Sequence, residues 1–225
     1  MAAGRQAVQR LRVGYRIGDP LQYVSVLDMG RLWERLLRRA GLPLAYTQGF
    51  HPHPRMQFAA PLPVGYWGEA ETLDIYLREP VDGDEALRTL AGQCPQGLSI
   101  ESVQAVPLDA PNLQAQMREA EYRVLVWSAA APQEMQAALE ALLARDELPR
   151  SRSRKGRVQA YDLRPLIHEL TYIGGQPAAD GLWEHTLHIR ARSSSQGSGR
   201  PEEMLEELGV ALDHFRIYRT RLIWE

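Results

Sequence analysis

The chain has 225 residues, 24% of them charged and 44% hydrophobic, a formal net charge of −2 and a single cysteine. That length allows one large or two small domains with a proper core, and a lone Cys94 excludes an intramolecular disulfide and a cysteine-built zinc site. The start, MAAGRQAVQRLR, lacks the apolar core of a signal peptide and no apolar run approaches the ~20 residues of a bilayer span, so a soluble, cytoplasmic protein without membrane contact is expected.

In chain order, Leu11, Val13, Tyr15 and Ile17 alternate with polar residues or glycine, the period-two pattern of a strand with one buried face. Gly18-Asp19-Pro20 ends it. Ser25 to Asp28 then fits a capping box, and Leu32, Trp33, Leu36, Leu37 and Ala40 make the apolar stripe of a helix that Gly41 and Pro43 stop. Its polar side is rich in arginine: Arg31, Arg35, Arg38 and Arg39. Met56 to Val64 and Thr72 to Arg78 read as a hairpin joined through Gly65-Tyr66-Trp67-Gly68, with Leu73, Ile75 and Leu77 inward and Asp74 and Tyr76 outward. A helix over Asp84 to Gln93 and a strand over Leu98 to Val106 complete the order β-α-β-β-α-β, a ferredoxin-like unit.

Pro107 to Ala120 is polar and proline-containing and reads as a linker. A second, less regular unit follows: a strand Tyr122 to Trp127, a helix Pro132 to Arg145, a strand carrying Trp183, His185, Leu187 and Ile189, a helix Pro201 to Leu208 and a strand Phe215 to Trp224. The insertion from Leu148 to Gly181 is expected to hold the remaining strand and a short helix around Leu163 to Leu170. The expected fold is therefore α+β, two tandem ferredoxin-like domains: 1–107, a linker 108–120, and 121–225 with a basic insertion.

The candidate chemistry centres on Tyr46 to Arg55. Prolines beside His51 and His53 favour an extended backbone, in which residues two apart point the same way roughly 6 to 7 Å apart. Both imidazoles can then address one ligand, with Arg55 as a phosphate fork and Tyr46 or Phe50 as a stacking platform, the ingredients of single-stranded RNA recognition. The bland reading is a proline-stiffened loop packed on the core. A metal site lacks a third local ligand, since Asp28, Glu69 and Glu71 lie elsewhere in the predicted fold.

Arg150, Arg152, Arg154, Lys155 and Arg157 crowd five positive charges into eight residues, expected as a mobile, self-repelling arm that an anion would order. Lys155 is the one lysine among 26 basic residues; arginine suits phosphate and bases, although an arginine-rich genome gives the same bias. Arg10, Arg12 and Arg16 with Tyr76 and Arg78 suggest a basic sheet face that either binds RNA or meets the second domain. His185 and His188 are three apart on a strand and form no ligand pair, and Trp33 and Trp127 read as core.

The runs Arg38-Arg39-Ala40-Gly41-Leu42-Pro43-Leu44-Ala45-Tyr46, Gly49-Phe50-His51-Pro52-His53-Pro54-Arg55 and Ala60-Pro61-Leu62-Pro63-Val64-Gly65 resemble the radical-SAM-linked protein family, also called domain of unknown function 2344. Tyr161 to Ile167 and Gly199 to Glu203 are similar to its later motifs. The resemblance implies a radical SAM protein as partner and carries no settled activity. Where the family commonly reads Ser-His-Leu-Asp, this chain has Ser25-Val26-Leu27-Asp28, so a mechanism needing an imidazole there does not carry over.

No phosphate-cradling glycine loop, triad spacing or three-cysteine cluster is present, so no cofactor is expected and radical chemistry would belong to a partner. The expected function is a non-catalytic RNA-binding or substrate-presenting module serving a radical SAM enzyme. Nucleic-acid contacts are assigned to Arg38, Arg39, Tyr46, His51, His53, Arg55, Arg152, Arg154 and Lys155. The alternatives are a metal-independent endoribonuclease with His53 as general acid/base beside Tyr46 and Arg55, and His51 as a further candidate, and a protein scaffold that touches no nucleic acid.

Overall fold

The computed structural model describes residues 6–154, 157–194 and 197–224. It is an α+β structure with five α-helices among the described residues, and it divides into two compact units, 1–117 and 118–225.

The first unit is built from β1 (Gln9–Ile17), α1 (Val26–Arg39), β2 (Met56–Phe58), β3 (Tyr66–Leu77), α2 (Gly83–Ala91) and β4 (Leu98–Val106), and closes with a helical turn, α3 (Leu113–Gln116). All its strand pairs are antiparallel, β4 and β3 flanking β1 and β2 pairing β3. Alternation does its expected work in β1: Leu11, Val13, Tyr15 and Ile17 are buried with α1's Met29, Trp33, Leu36 and Leu37. The Tyr15 ring meets Trp33 edge-on at 4.9 Å. Each such side chain contributes about 1.5–3 kcal/mol by leaving water. Ser25 caps α1 by accepting the Asp28 N–H at 3.2 Å, and the helix gives way at Gly41, whose φ of +66° suits a residue without a Cβ.

Strand β2 is shorter than its sequence suggests. Pro61 and Pro63 have no N–H for a ladder, and Gly65 turns the chain at φ +89° so that β3 starts at Tyr66. The expected open face of this sheet is also partly closed. Asp74 and Tyr76 are buried although they alternate with Leu73, Ile75 and Leu77. The cause is polar: Asp74 is clamped by Arg10 and Arg12, and the segment after β4 lays the carbonyls of Ala110 and Pro111 on the Arg10 guanidinium at 2.7 and 3.1 Å. The stretch read as linker thus returns to the first unit, and β5 begins at Met117.

The second unit comprises β5 (Met117–Ser128), α4 (Pro132–Leu143), β6 (Pro149–Arg154), β7 (Arg157–Asp162), β8 (Ile167–Pro177), β9 (Trp183–Ser194), β10 (Gly197–Ser198), α5 (Pro201–Glu206) and β11 (His214–Trp224). Within it β9 lies between β5 and both β8 and β10, and β11 flanks β5 on its other side. Tyr122, Val124, Val126, Leu187 and Ile189 bury one face with Met135, Leu139 and Leu142 of α4 and Met204 and Leu205 of α5.

Two expectations fail in the insertion. No helix spans 163–170: a single 3-10 turn at Arg164–Leu166 leads into β8, whose Ile167, Thr171, Tyr172 and Ile173 favour extended backbone. The basic stretch is a paired hairpin, with Arg150 opposite Tyr161 and Arg152 opposite Gln159.

Candidate functional site

The chain from Leu44 to Arg55 leaves α1 and returns as a pinned stem with a projecting tip. Tyr46 bridges Pro54, the Thr47 N–H donates to the His53 carbonyl at 2.9 Å, and the Arg55 N–H donates to the Ala45 carbonyl at 2.7 Å. The His53 N–H completes the stem on Thr47 Oγ1 at 3.1 Å. Gln48 to His53 are exposed, and Phe50 stands wholly in solvent at 102% relative exposure. A phenylalanine ring held there on a fixed stem gives up no core contact to meet a ligand.

The predicted residues divide between this loop and its surroundings. His51 lies at a bend of the tip and His53 at the stem, so the uniformly extended run expected for the two histidines does not form. His53 Nδ1 is 3.1 Å from Glu34 Oε1 on α1, which ties the stem to the helix. Tyr46 packs half-buried against the core and is not an open stacking platform. Arg55 stacks instead on Tyr76, a buried ring over which its guanidinium lies at 4.0 Å. Arg55 and Tyr76 also line a polar hollow of about 310 Å³ with Gln57 and Asn112.

Arg31, Arg35, Arg38 and Arg39 are exposed on α1. Arg39 donates to the Gln93 carbonyl at 3.1 Å and Arg38 sits 4.0 Å from Glu34, so both remain at the surface. Glu34 and Tyr76 had no signal in the sequence beyond a helix face and a strand alternation. Only the folded register brings them to His53 and Arg55.

The second-unit arginines are placed differently from the expectation. Arg152 is no mobile phosphate hook: its Nε donates to Glu203 Oε1 at 2.8 Å and its guanidinium covers the Tyr161 ring at 4.5 Å. Arg150 pairs with Glu206 and with Glu207, the latter at 2.9 Å. The acidic helix α5 therefore neutralises the basic hairpin, a match between segments some fifty residues apart. Arg154 ends β6, and Lys155 lies outside the described residues.

Burial opposes the charge on Glu203, but hydrogen bonds from Arg152 and its positive field win and hold the carboxyl below the ordinary glutamate range. Beside this pair opens a cleft of about 650 Å³ lined by Tyr161, Asp162, Leu166 and Arg200. The two later sequence motifs thus converge on one place.

Among the described residues no three His, Cys, Asp or Glu side chains gather into a metal-binding group, and no helix is long and apolar enough to cross a membrane.

No curated protein matches this chain. Among solved structures it is similar to a chain of the "Crystal Structure of a Cbf5-Nop10-Gar1 Complex", with 10% identity and a TM-score of 0.48, over 93% of this chain and 48% of that one. The chain thus spans about half the length of that relative, and a likeness at this level says nothing of activity or partners. A family model described as "Uncharacterized protein conserved in bacteria" matches residues 10–201. With most of its length inside that match, the chain belongs to the bacterial family of uncharacterised proteins DUF2344.

Proposed function

We propose that the protein is a non-catalytic RNA-binding or substrate-presenting module that works beside a radical SAM enzyme. The observation that carries the reading is the fully exposed Phe50 on its hydrogen-bonded stem, flanked by His51 and His53. The arginine face of α1 adjoins it through the His53–Glu34 contact. An aromatic ring offered to solvent with planar cations near it is the equipment that takes up an unstacked base and its phosphates. The antiparallel neighbours β4, β1, β3 and β2 of the first unit support reading it as ferredoxin-like, and β11, β5, β9 and β8 repeat that order in the second.

The radical SAM partner rests on the family resemblance. One cysteine in these 225 residues cannot ligate the cluster such an enzyme needs. The test is fluorescence anisotropy of labelled single-stranded RNA against the intact protein over a salt series. Binding that weakens as salt rises is expected; no binding at low salt overturns the reading.

One distance favours a second reading. Glu34 orients His53 through Nδ1 at 3.1 Å and leaves Nε2 directed elsewhere, the arrangement of a general base set against a 2′-hydroxyl. RNA cleavage in EDTA that disappears in His53→Ala is its signature; intact RNA after long incubation dismisses it.

A further inference from the structure

The hollow beside Arg55 has a wall of hydrogen-bond donors and no carboxylate. Arg10, Arg55, Gln57 and Asn112 give it a polar side, Met56 and Leu108 an apolar one, and none of the residues that line it is acidic. Folding has already spent the acceptor ends of the two amides. Gln57 Oε1 accepts the Leu113 N–H at 3.2 Å, and Asn112 Oδ1 accepts the Gln114 N–H at 2.9 Å. Each amide keeps its NH2 group, which no hydrogen bond among the described residues engages.

The two arginines add to the same wall. Arg10 gives Nε and Nη2 to Asp74, Nη2 again to Pro111 and Nη1 to Ala110, which leaves one Nη1 proton over. Arg55 lies 4.0 Å and Arg10 5.7 Å from the centre of the one Tyr76 ring. Among the described residues the Arg55 guanidinium has this ring as its contact and no carboxylate partner. Asp74 is buried and clamped by Arg10 and Arg12, and Asp109, exposed on the segment after β4, stands outside the wall.

We propose that this hollow binds the terminal phosphate of an RNA strand, a phosphate monoester. The proposal rests on the RNA-binding reading above and names the part of the strand that this place takes. Donors without an acid among them call for an anion. A monoester brings three acceptor oxygens and close to two negative charges at neutral pH, whereas a phosphodiester inside the chain brings two free oxygens and one charge. The Arg55 guanidinium, held flat on a ring, keeps its N–H edge for phosphate oxygens. A volume of about 310 Å³ lies at the small end of ligand clefts, and Met56 and the half-exposed Leu108 offer the end nucleotide an apolar surface. Arg55 also closes the stem that carries Phe50, so a strand stacked on that tip can set its end in the hollow.

The experiment compares fluorescein-labelled oligouridines whose 5′ or 3′ end carries either a phosphate or a hydroxyl, by anisotropy against the intact protein. One phosphorylated end is expected to bind about 10- to 100-fold more tightly than its hydroxyl counterpart. Asn112→Asp and Gln57→Glu keep the oxygens that hold the Gln114 and Leu113 N–H groups but replace each NH2 by a negative oxygen. With native circular dichroism, each is expected to abolish the preference while the hydroxyl RNA still binds. Displacement of the phosphorylated RNA by uridine monophosphate or inorganic phosphate at comparable concentration overturns the RNA end in favour of a free phosphate compound. Equal binding of phosphorylated and hydroxyl RNA overturns the phosphate pocket and leaves the RNA reading standing. Absence of any RNA binding by the intact protein removes both.

Discussion

Arg10 and Asp74 form an ion pair sealed from water, with the arginine Nε 2.8 Å from Asp74 Oδ2 and both side chains essentially without exposed surface. Arg12 completes the clamp at 2.9 Å on Oδ1, and the carbonyls of Ala110 and Pro111 each take one further Arg10 proton. Removing the carboxylate leaves a buried guanidinium uncompensated. Asp74→Ala is therefore expected to cost about 3–5 kcal/mol in a urea unfolding curve. A midpoint unchanged from wild type would show that water reaches this cluster.

His185 is fully buried between two partners, the Tyr172 hydroxyl at 3.1 Å from Nδ1 and the Ala130 carbonyl at 3.1 Å from Nε2. Burial pushes its pKa below the usual 6.5 and outweighs the Ala130 bond, which acts the other way. The unfolded chain then takes up a proton that the folded one refuses. Stability is accordingly full above pH 6.5 and falls as the pH drops below it, by at most about 1.4 kcal/mol per pH unit for this one group. Thermal melts between neutral pH and pH 5 should show the slope, and His185→Gln should flatten it. Gly175→Ala strains the same spot, because a Cβ there would meet the Tyr172 hydroxyl at 2.5 Å.

The hairpin β6–β7 should loosen in acid before the rest of the second unit. Glu207 is held below the ordinary 4.5 chiefly by its hydrogen bond from Arg145, with Arg150 adding to it, and Glu203 is held low against its own burial by Arg152. Carboxyls depressed on folding stabilise above the unfolded value and lose that contribution as the pH falls through the lower, folded one. Hydrogen exchange corrected for its intrinsic pH dependence should show β6 and β7 opening first below about pH 4.5. Uniform protection across the unit would mean that the pairs carry no weight.

Phe50→Ala is expected to leave the melting temperature where it was, since an exposed ring makes no packing contribution. It should nevertheless weaken RNA binding by about 1–3 kcal/mol. Arg38→Ala combined with Arg39→Ala should lower the slope of log affinity against log salt by about 1.4, at roughly 0.7 per lost phosphate contact. A slope unaffected by both changes would take the α1 face out of the RNA site.

Much of this molecule could be read from residue spacing, and the failures share a cause. Leu11 to Ile17 and the Ser25 cap announce themselves because their partners are periodic or three residues away. The Arg152–Glu203 and Arg10–Asp74 pairs span 51 and 64 residues, and no local pattern tells a basic segment which acidic one it will meet. The loop at 46–55 stood out by composition alone. The stacking of Trp127 on His214, their rings 4.3 Å apart, did not, because a tryptophan on an alternating strand looks like core until its neighbours are placed beside it.

The position of the hairpin within the second unit has a consequence of its own. Among the described residues the backbone ladder of β6 and β7 joins these two strands alone, in the connection between α4 and β8, so no rung of the main sheet depends on them. Such an insert behaves as an appendage: trimming it to a short connection would spare the sheet and its strand order. What the trimming would uncover is Glu203 and Glu206 of α5 and Glu207 at its end, deprived of Arg150 and Arg152, with Arg145 left on Glu207. The hairpin thus acts as a built-in counter-ion, and the sign of the electric field on that side of the unit depends on whether it stays seated.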